Sequence, residues 1–210
     1  MSDNRPPRES AWPARPPRGA SRAPSPQRAA ETRLYGLNAC LAAFAKRPEA
    51  LRKVYLSEAR IPALKPVLAW CVRQRIGYRV VEDADLERLA ASRHHEGGCF
   101  DLLHASPPAF DALLARLPPA PAASVLLWLD GVGNPHNFGA LLRSAAHFGV
   151  DGVIAPAASR LEVSGAAARV AEGGAEAVSF AHAADPAAAF DALRRQGYAI
   201  AATVPREGTS

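Results

Sequence analysis

The sequence predicts an α/β protein, a small three-layer α/β domain followed by a second domain built on a parallel sheet. Three observations carry this. Short apolar runs of strand length alternate with amphipathic stretches of helix length from residue 33 onward. Glycine, proline, Asn and Asp stand at the junctions, where helices start and stop. Apolar residues make up 49% of 210 residues, enough to bury cores in one large or two small domains.

Residues 1–32 stand apart. Pro6, Pro7, Pro13, Pro16, Pro17, Pro24 and Pro26 are spread among Ser and Ala, and Trp12 is the sole large apolar residue. Such a segment cannot bury enough surface to offset its ordering entropy, so a disordered tail is expected. Arg5, Arg8, Arg15, Arg18, Arg22 and Arg28 outnumber Asp3, Glu9 and Glu31, so most of the net charge of +5 lies here. A flexible arginine-rich arm suits an RNA backbone; it also serves as a solubilising extension.

Residues 33–104 read as α-β-α-β-α-β. A helix over Gly36 to Lys46 precedes a strand at Val54 to Leu56. A helix opened by Pro62 runs to Arg75 and is ended by Gly77. A strand over Tyr78 to Val81, a helix capped by Asp83 and running to about Ser92, and a strand over Cys99 to Leu103 complete the domain. Residues 105–123 carry Pro107, Pro108, Pro118, Pro119 and Pro121 and read as a linker with one short helix near Phe110.

The stretch from Val125 to Gly149 specifies the most. Val125 to Leu129 is a continuous apolar run, as in a strand covered on both faces. Gly131, Gly133, Asn134 and Pro135 turn the chain, Asn137 is placed to cap a helix, and Gly149 suits its left-handed end. On a helical wheel Phe138, Leu141, Leu142, Ala145 and Phe148 form the buried stripe, with Gly139, Arg143 and His147 opposite. Arg143 would then face a ligand over the carboxyl ends of the strands, unshielded by Gly139 one turn before it. The ordinary alternative is a solvated arginine. Gly131-Val-Gly133 is no dinucleotide fingerprint, because His136 stands where the third glycine belongs. Beyond Gly149, strands at Gly152 to Ala155, Ala177 to Phe180 and Tyr198 to Thr203 alternate with helices capped by Ser164 and Asp185 and closed by Gly173-Gly174 and Gly197. That alternation implies a parallel sheet.

Several classes are disfavoured. The apolar runs are far shorter than the ~20 residues of a membrane span, and the amino terminus has no apolar signal core. Cys40, Cys71 and Cys99 form no C-x-x-C pair, and His94, His95, Cys99 and His104 match no ligand spacing. No metal is expected, and a reducing cytoplasm is the natural compartment.

Asn134-Pro-His-Asn137, Gly139 and Arg143-Ser-Ala-Ala-His-Phe-Gly149 together resemble the first motif of the SpoU/TrmH class of SPOUT RNA 2′-O-methyltransferases, Asn-x-Gly-x-x-x-Arg-[Ser/Thr]-Ala followed by Phe-Gly. Tyr35-Gly-Leu-Asn-Ala39, Lys53-Val-Tyr-Leu56 and His94-His-Glu-Gly97 are similar to the substrate-recognition domain of these enzymes, with Glu96 where glutamine is common. Val170-Ala-Glu-Gly-Gly-Ala-Glu176 resembles their Ser-Ala-Gly-Ala segment.

The resemblance implies a SPOUT α/β-knot methyltransferase domain over 124–210 and an RNA substrate-binding domain over 33–104. It implies methyl transfer from S-adenosylmethionine to a ribose 2′-hydroxyl of tRNA or rRNA, by a homodimer. Asn137 and Arg143 would be the catalytic pair, the arginine activating the hydroxyl or holding the adjacent phosphate. The fork of donors suits phosphate, whereas a base would need a very large pKa displacement. Asn134, His136, Gly139 and His95 would face RNA. Arg52, Lys53 and Arg93, among other exposed cations, would add phosphate contacts. The motifs that build the cofactor-binding knot, Gly-Asn-Glu-x-x-Gly and Ser-Leu-Asn-Val-Ser, are not found before Ser210. The expectation is therefore an incomplete cofactor site in a truncated copy or a fragment of a longer reading frame. A catalytically silent RNA-binding protein is the alternative.

Overall fold

A computed structural model describes residues 30–117 and 123–203. The arginine-rich tail falls outside them up to residue 29. Its last three residues do not: the Ala30 carbonyl accepts from His104 N–H, and Glu31 and Thr32 open strand β1 (Glu31–Tyr35), which pairs antiparallel with β4 (Gly98–Leu103). The expected tail is thus three residues too long, because Glu31 to Tyr35 has a ladder partner about seventy residues away that local composition does not reveal.

Between these strands lie α1 (Leu37–Lys46), β2 (Leu51–Leu56), α2 (Ile61–Gln74), β3 (Gly77–Val80) and α3 (Asp83–Ala90). The sheet order is β1-β4-β2-β3, with β2 and β3 parallel and β4 antiparallel to both β1 and β2. Leu34, Val54, Phe100 and Leu102 point from one face into a core completed by Cys40 and Ala43 of α1 and Leu64, Val67 and Cys71 of α2. Spacings of three and four put each helix's buried residues on one stripe. The other face carries Arg33, whose guanidinium grips Asp101 with Nη2 at 3.0 Å and donates to the Leu89 carbonyl of α3. Three layers result, as expected, but strand β1 precedes the first expected helix, β2 begins at Leu51 and not Val54, and two further boundaries move. Arg75, in the left-handed region at φ 57°, ends α2, leaving Gly77 to begin β3. Asp83 is the first residue of α3, behind the N-cap Glu82, and makes no side-chain cap.

The second domain contains α4 (Phe110–Leu114), β5 (Leu126–Trp128), α5 (Pro135–His147), β6 (Gly152–Pro156), α6 (Gly165–Ala171), α7 (Gly174–Ala177), β7 (Ser179–Ala183) and α8 (Pro186–Arg195). The sheet is parallel in the order β5-β6-β7. Alternation along β6 divides the core. Val153 and Ala155 face Phe138, Leu142 and Phe180 under α5, while Ile154 faces Phe110, Leu113 and Leu193 under α4 and α8. The segment expected as a linker is therefore partly domain: its short helix buries Phe110 and Leu113 against the sheet.

Three caps fall as expected. The Ser164 hydroxyl accepts from Ala167 N–H, Asp185 Oδ1 accepts from Ala187 N–H, and Gly197 at φ 88° closes α8. Two strands do not. Ala177 belongs to α7, so β7 begins at Ser179. Residues 198–203 pair with no strand among the described residues, and Ile200 remains 42% exposed. Strand propensity yields a strand only where a neighbour offers its unpaired N–H and C=O groups.

The two domains pack directly. Helix α6 is Gly165-Ala-Ala-Ala-Arg-Val-Ala171, and its small residues serve both cores: Ala168 is buried with Leu34 and Phe100, Ala167 and Ala171 with Phe138 and Leu142. Gly165 meets the Arg33 carbonyl so closely that a Cβ would lie 2.4 Å from its oxygen. Such an approach is open only to glycine.

Candidate functional site

Helix α5 follows the turn at the carboxyl end of β5. Its N-cap is Asn134, not Asn137: the Asn134 Oδ1 accepts from His136 N–H at 2.8 Å and from Asn137 N–H at 3.4 Å. Pro135 fills the first helical position, where a missing N–H costs nothing, so the cap lies three residues before the expected Asn137. At the other end Gly149 adopts φ 67°, and its N–H and that of Val150 donate to Ala146 and Ala145, which closes the last turn.

The wheel holds for Phe138, Leu142 and Ala145, which are buried, and for Arg143 and His147, which are exposed. It fails at two positions. Phe148 is 79% exposed, because the helix ends at His147 and the next residue leaves its phase. Gly139 is buried, because a Cβ there would lie 2.4 Å from the Ala167 carbonyl oxygen of α6. Its absent side chain lets two helices touch and opens no path for a ligand.

Gly174 does the same from α7, since a Cβ would lie 2.9 Å from the Arg143 Cα. These two approaches bring the end of α6 beside α5, and Glu172 Oε1 accepts from Arg143 Nη1 at 3.1 Å. The two side chains are 60% and 35% exposed, so the pair is wet. Asn134, His136 and Asn137 are exposed too, at the start of the same helix. Asn137 and Arg143, six residues apart, are separated by about 9 Å along the axis. Both are exposed, but about 100° per residue turns them roughly 120° apart around α5, whereas His136 lies within about 20° of Arg143.

The other expected contacts divide. Arg93 is 87% exposed and reaches Glu87 only at 3.9 Å. Arg52 is exposed and donates to the Glu49 and Leu51 carbonyls at 2.9 and 3.0 Å. Lys53 lays its Nζ over the Tyr55 ring at 5.0 Å. His95 is excluded from any RNA contact through its ring: it is 6% exposed, its Nδ1 accepts from Gly97 N–H, and its carbonyl accepts from Gly36 and Gly98. It holds a turn together. Asp101 holds the pKa of Arg33 above its ordinary value, chiefly by hydrogen bonding to it. That arginine is therefore a fixed part of the sheet.

Sequence reasoning missed the residues that join the domains. Glu96 binds Arg169 Nη2 at 2.7 Å with one oxygen and accepts from Leu37 N–H with the other, so its charge is spent on α6 and α1. Arg47 Nη2 lies 2.8 Å from Glu176. The available signal was the unusual Glu96 itself, which called for a cation elsewhere in the chain.

A three-layer parallel α/β domain, carrying an exposed arginine on the helix after its first strand and packed on a second small α/β domain, defines the class. The SpoU rRNA Methylase family model matches residues 124–210, and the model for RNA 2'-O ribose methyltransferase substrate binding matches residues 33–102. The tRNA/rRNA methyltransferase YfiF of Escherichia coli O157:H7, described as uncharacterized, is 39% identical over 182 residues, which cover 87% of this chain and 52% of that protein. The 23S rRNA (guanosine-2'-O-)-methyltransferase RlmB of Coxiella burnetii is 31% identical over 172 residues, 81% of this chain and 68% of the relative. An rRNA methyltransferase of Sinorhizobium meliloti shares the fold with a TM-score of 0.62 at 18% identity, over 80% of this chain and 60% of that one. The chain belongs to the SpoU RNA methyltransferase family. It spans about half the length of the first curated relatives, 52% and 48%.

The residues around Arg143 do not fit a cofactor pocket, since Arg143, Asn137 and His136 all lie on open surface. Among the described residues, an open cavity of about 530 Å³ in the first domain is lined by Ser57, Glu58, Ala59, Val80, Val81, Glu82 and Asp83. It offers carboxylates but no aromatic ring for an adenine. No described helix is long and apolar enough to cross a membrane.

Proposed function

We propose that this chain supplies the RNA-recognising and ribose-facing part of an S-adenosylmethionine-dependent RNA 2′-O-ribose methyltransferase, acting on rRNA or tRNA in the cytoplasm as a homodimer. The observation that carries the reading is Arg143, exposed on a helix capped by Asn134, in a chain whose recognition domain packs against that helix's neighbour α6. A guanidinium there grips a ribose-flanking phosphate with two parallel N–H donors. His136, on the same side of α5 as Arg143, and Asn137, in the first turn of the helix, present polar side chains for the sugar or base. Arg93, Arg52 and Lys53 add charge from the first domain. S-adenosylmethionine supplies the methyl group when bound, and no step through it is assigned to these residues.

The alternative, an RNA-binding protein without transferase activity, draws on the open surface around Arg143. One experiment separates the two. Ribose 2′-O-methylation is mapped across rRNA and tRNA from cells with and without the gene. Loss of methylation at one nucleotide, restored by the wild-type gene but not by Arg143→Lys, is the expected result. Unchanged methylation, with RNA still bound by the purified protein, leaves the binding reading.

A further inference from the structure

Three features converge on Glu172. It ends α6 in the left-handed region at φ 49°, a conformation that L residues other than Asn and Asp seldom adopt. Gly139 and Gly174 remove the side chains that would hold α6 and α7 away from α5. The carboxylate then rests on Arg143, in an exposed pair that adds little to stability. The close approaches pack α6 and α7 into the core around Phe138 and Leu142, but the exposed pair at their edge adds little to that stability, so the placement of a carboxylate on Arg143 needs another reason.

We propose that Glu172 is the built-in counter-ion of Arg143, a positioning residue that holds the guanidinium and that an RNA phosphate must displace. The inference rests on the reading of Arg143 as a phosphate ligand. Glu172 takes up Nη1 alone, at 3.1 Å, so a phosphate gripping the guanidinium with two parallel N–H donors through both terminal nitrogens competes with it for that donor. Any RNA backbone reaching Arg143 competes with a tethered rival. RNA also held by the first domain competes at a higher effective concentration and wins. Glu172 therefore acts on specificity: it keeps Arg143 from capturing phosphates that the recognition domain has not placed. Salt weakens the internal pair, which makes the natural chain's RNA affinity less salt-dependent than that of a chain lacking the carboxylate.

The test is fluorescence anisotropy of a fluorescein-labelled single-stranded oligoribonucleotide with the full chain, across a potassium chloride series. Four proteins are compared: wild type, Glu172→Gln, Arg143→Gln and the double variant. Glu172→Gln is expected to tighten binding by about two- to five-fold at low salt, the range that an exposed pair supports. The gain should vanish at high salt and in the Arg143→Gln background. Glu172→Gly, which removes the carboxylate and suits φ 49°, should reproduce it without loss of fold.

A gain that persists without Arg143 would mean that removing any negative charge helps, and would overturn the proposal. If Arg143→Gln weakens binding but neither Glu172 variant tightens it, the counter-ion role fails while the phosphate reading stands. If Arg143→Gln leaves affinity and salt slope unchanged, the phosphate reading itself fails, and this inference with it.

Discussion

The guanidinium of Arg47 lies against both carboxylate oxygens of Glu176, 129 residues further along the chain, with contacts of 2.8 and 3.1 Å. Its remaining nitrogen donates to the Leu103 carbonyl. The side chains are 21% and 16% exposed, so little water competes for them. This pair ties α1 of the first domain to α7 of the second. Glu176→Gln is expected to cost about 1–3 kcal/mol in chemical denaturation, as for hydrogen bonds to charged groups. Arg47→Met should cost a similar amount, and the double variant less than the sum. Additive losses would show that the pair contributes nothing of its own.

Gly139 offers a test of helix packing. In an exposed helix, alanine for glycine stabilises by about 1 kcal/mol. Here the added Cβ would lie 2.4 Å from the Ala167 carbonyl oxygen, a backbone atom that cannot swing away. Gly139→Ala is therefore expected to lower stability by about 1–3 kcal/mol, read as a drop in Tm. A rise in Tm would return Gly139 to the open surface that a helical wheel gives it.

Removal of the arginine-rich tail has a sharp limit. Deleting residues 1–29 removes Arg5, Arg8, Arg15, Arg18, Arg22 and Arg28 without touching the described fold. RNA affinity should fall, and its salt dependence become shallower, while Tm holds. Deleting residues 1–32 also removes Glu31 and Thr32, with their pairing to Leu103 and Leu102 and the 2.8 Å contact of the Thr32 hydroxyl with His104. That longer deletion should lower Tm. Filter binding unchanged by the shorter deletion would place the affinity in the folded domains instead.

The three cysteines respond to alkali. Cys40, Cys71 and Cys99 are fully buried. Burial pushes the Cys40 thiol well above its ordinary range, raises Cys71, and pushes Cys99 up to about 12. The folded chain therefore holds these protons more tightly than the unfolded chain, whose thiols titrate near about 8.5. The stability they contribute is fully present below that value and is lost as pH rises through the folded values. Thiol reagents at neutral pH should label none of the three until denaturant is added. Unfolding free energy should decline as pH climbs above about 9. Rapid native labelling of Cys40 would contradict its burial.

Local chemistry made much of this protein legible. The alternation of strands and helices, the caps at Ser164 and Asp185, the left-handed turns at Gly149 and Gly197, and the motif running from Asn134 to Gly149 are all set by residues within a few positions of one another. Periodicity and capping act over that range, so the sequence alone determined the fold class, the family and the exposure of Arg143. The rest depended on residues far apart in the chain. That Glu31 and Thr32 are strand was decided by β4, that 198–203 is not by the lack of a partner among the described residues, and that Gly139 is buried by the arrival of α6. Glu96 turned from a surface charge into the partner of Arg169, and Glu172 into that of Arg143, only when the domains packed. A one-dimensional pattern records the face a residue turns away from its own helix axis. Which neighbour covers that face is a property of tertiary packing, and it separates a free arginine from one that already holds a carboxylate.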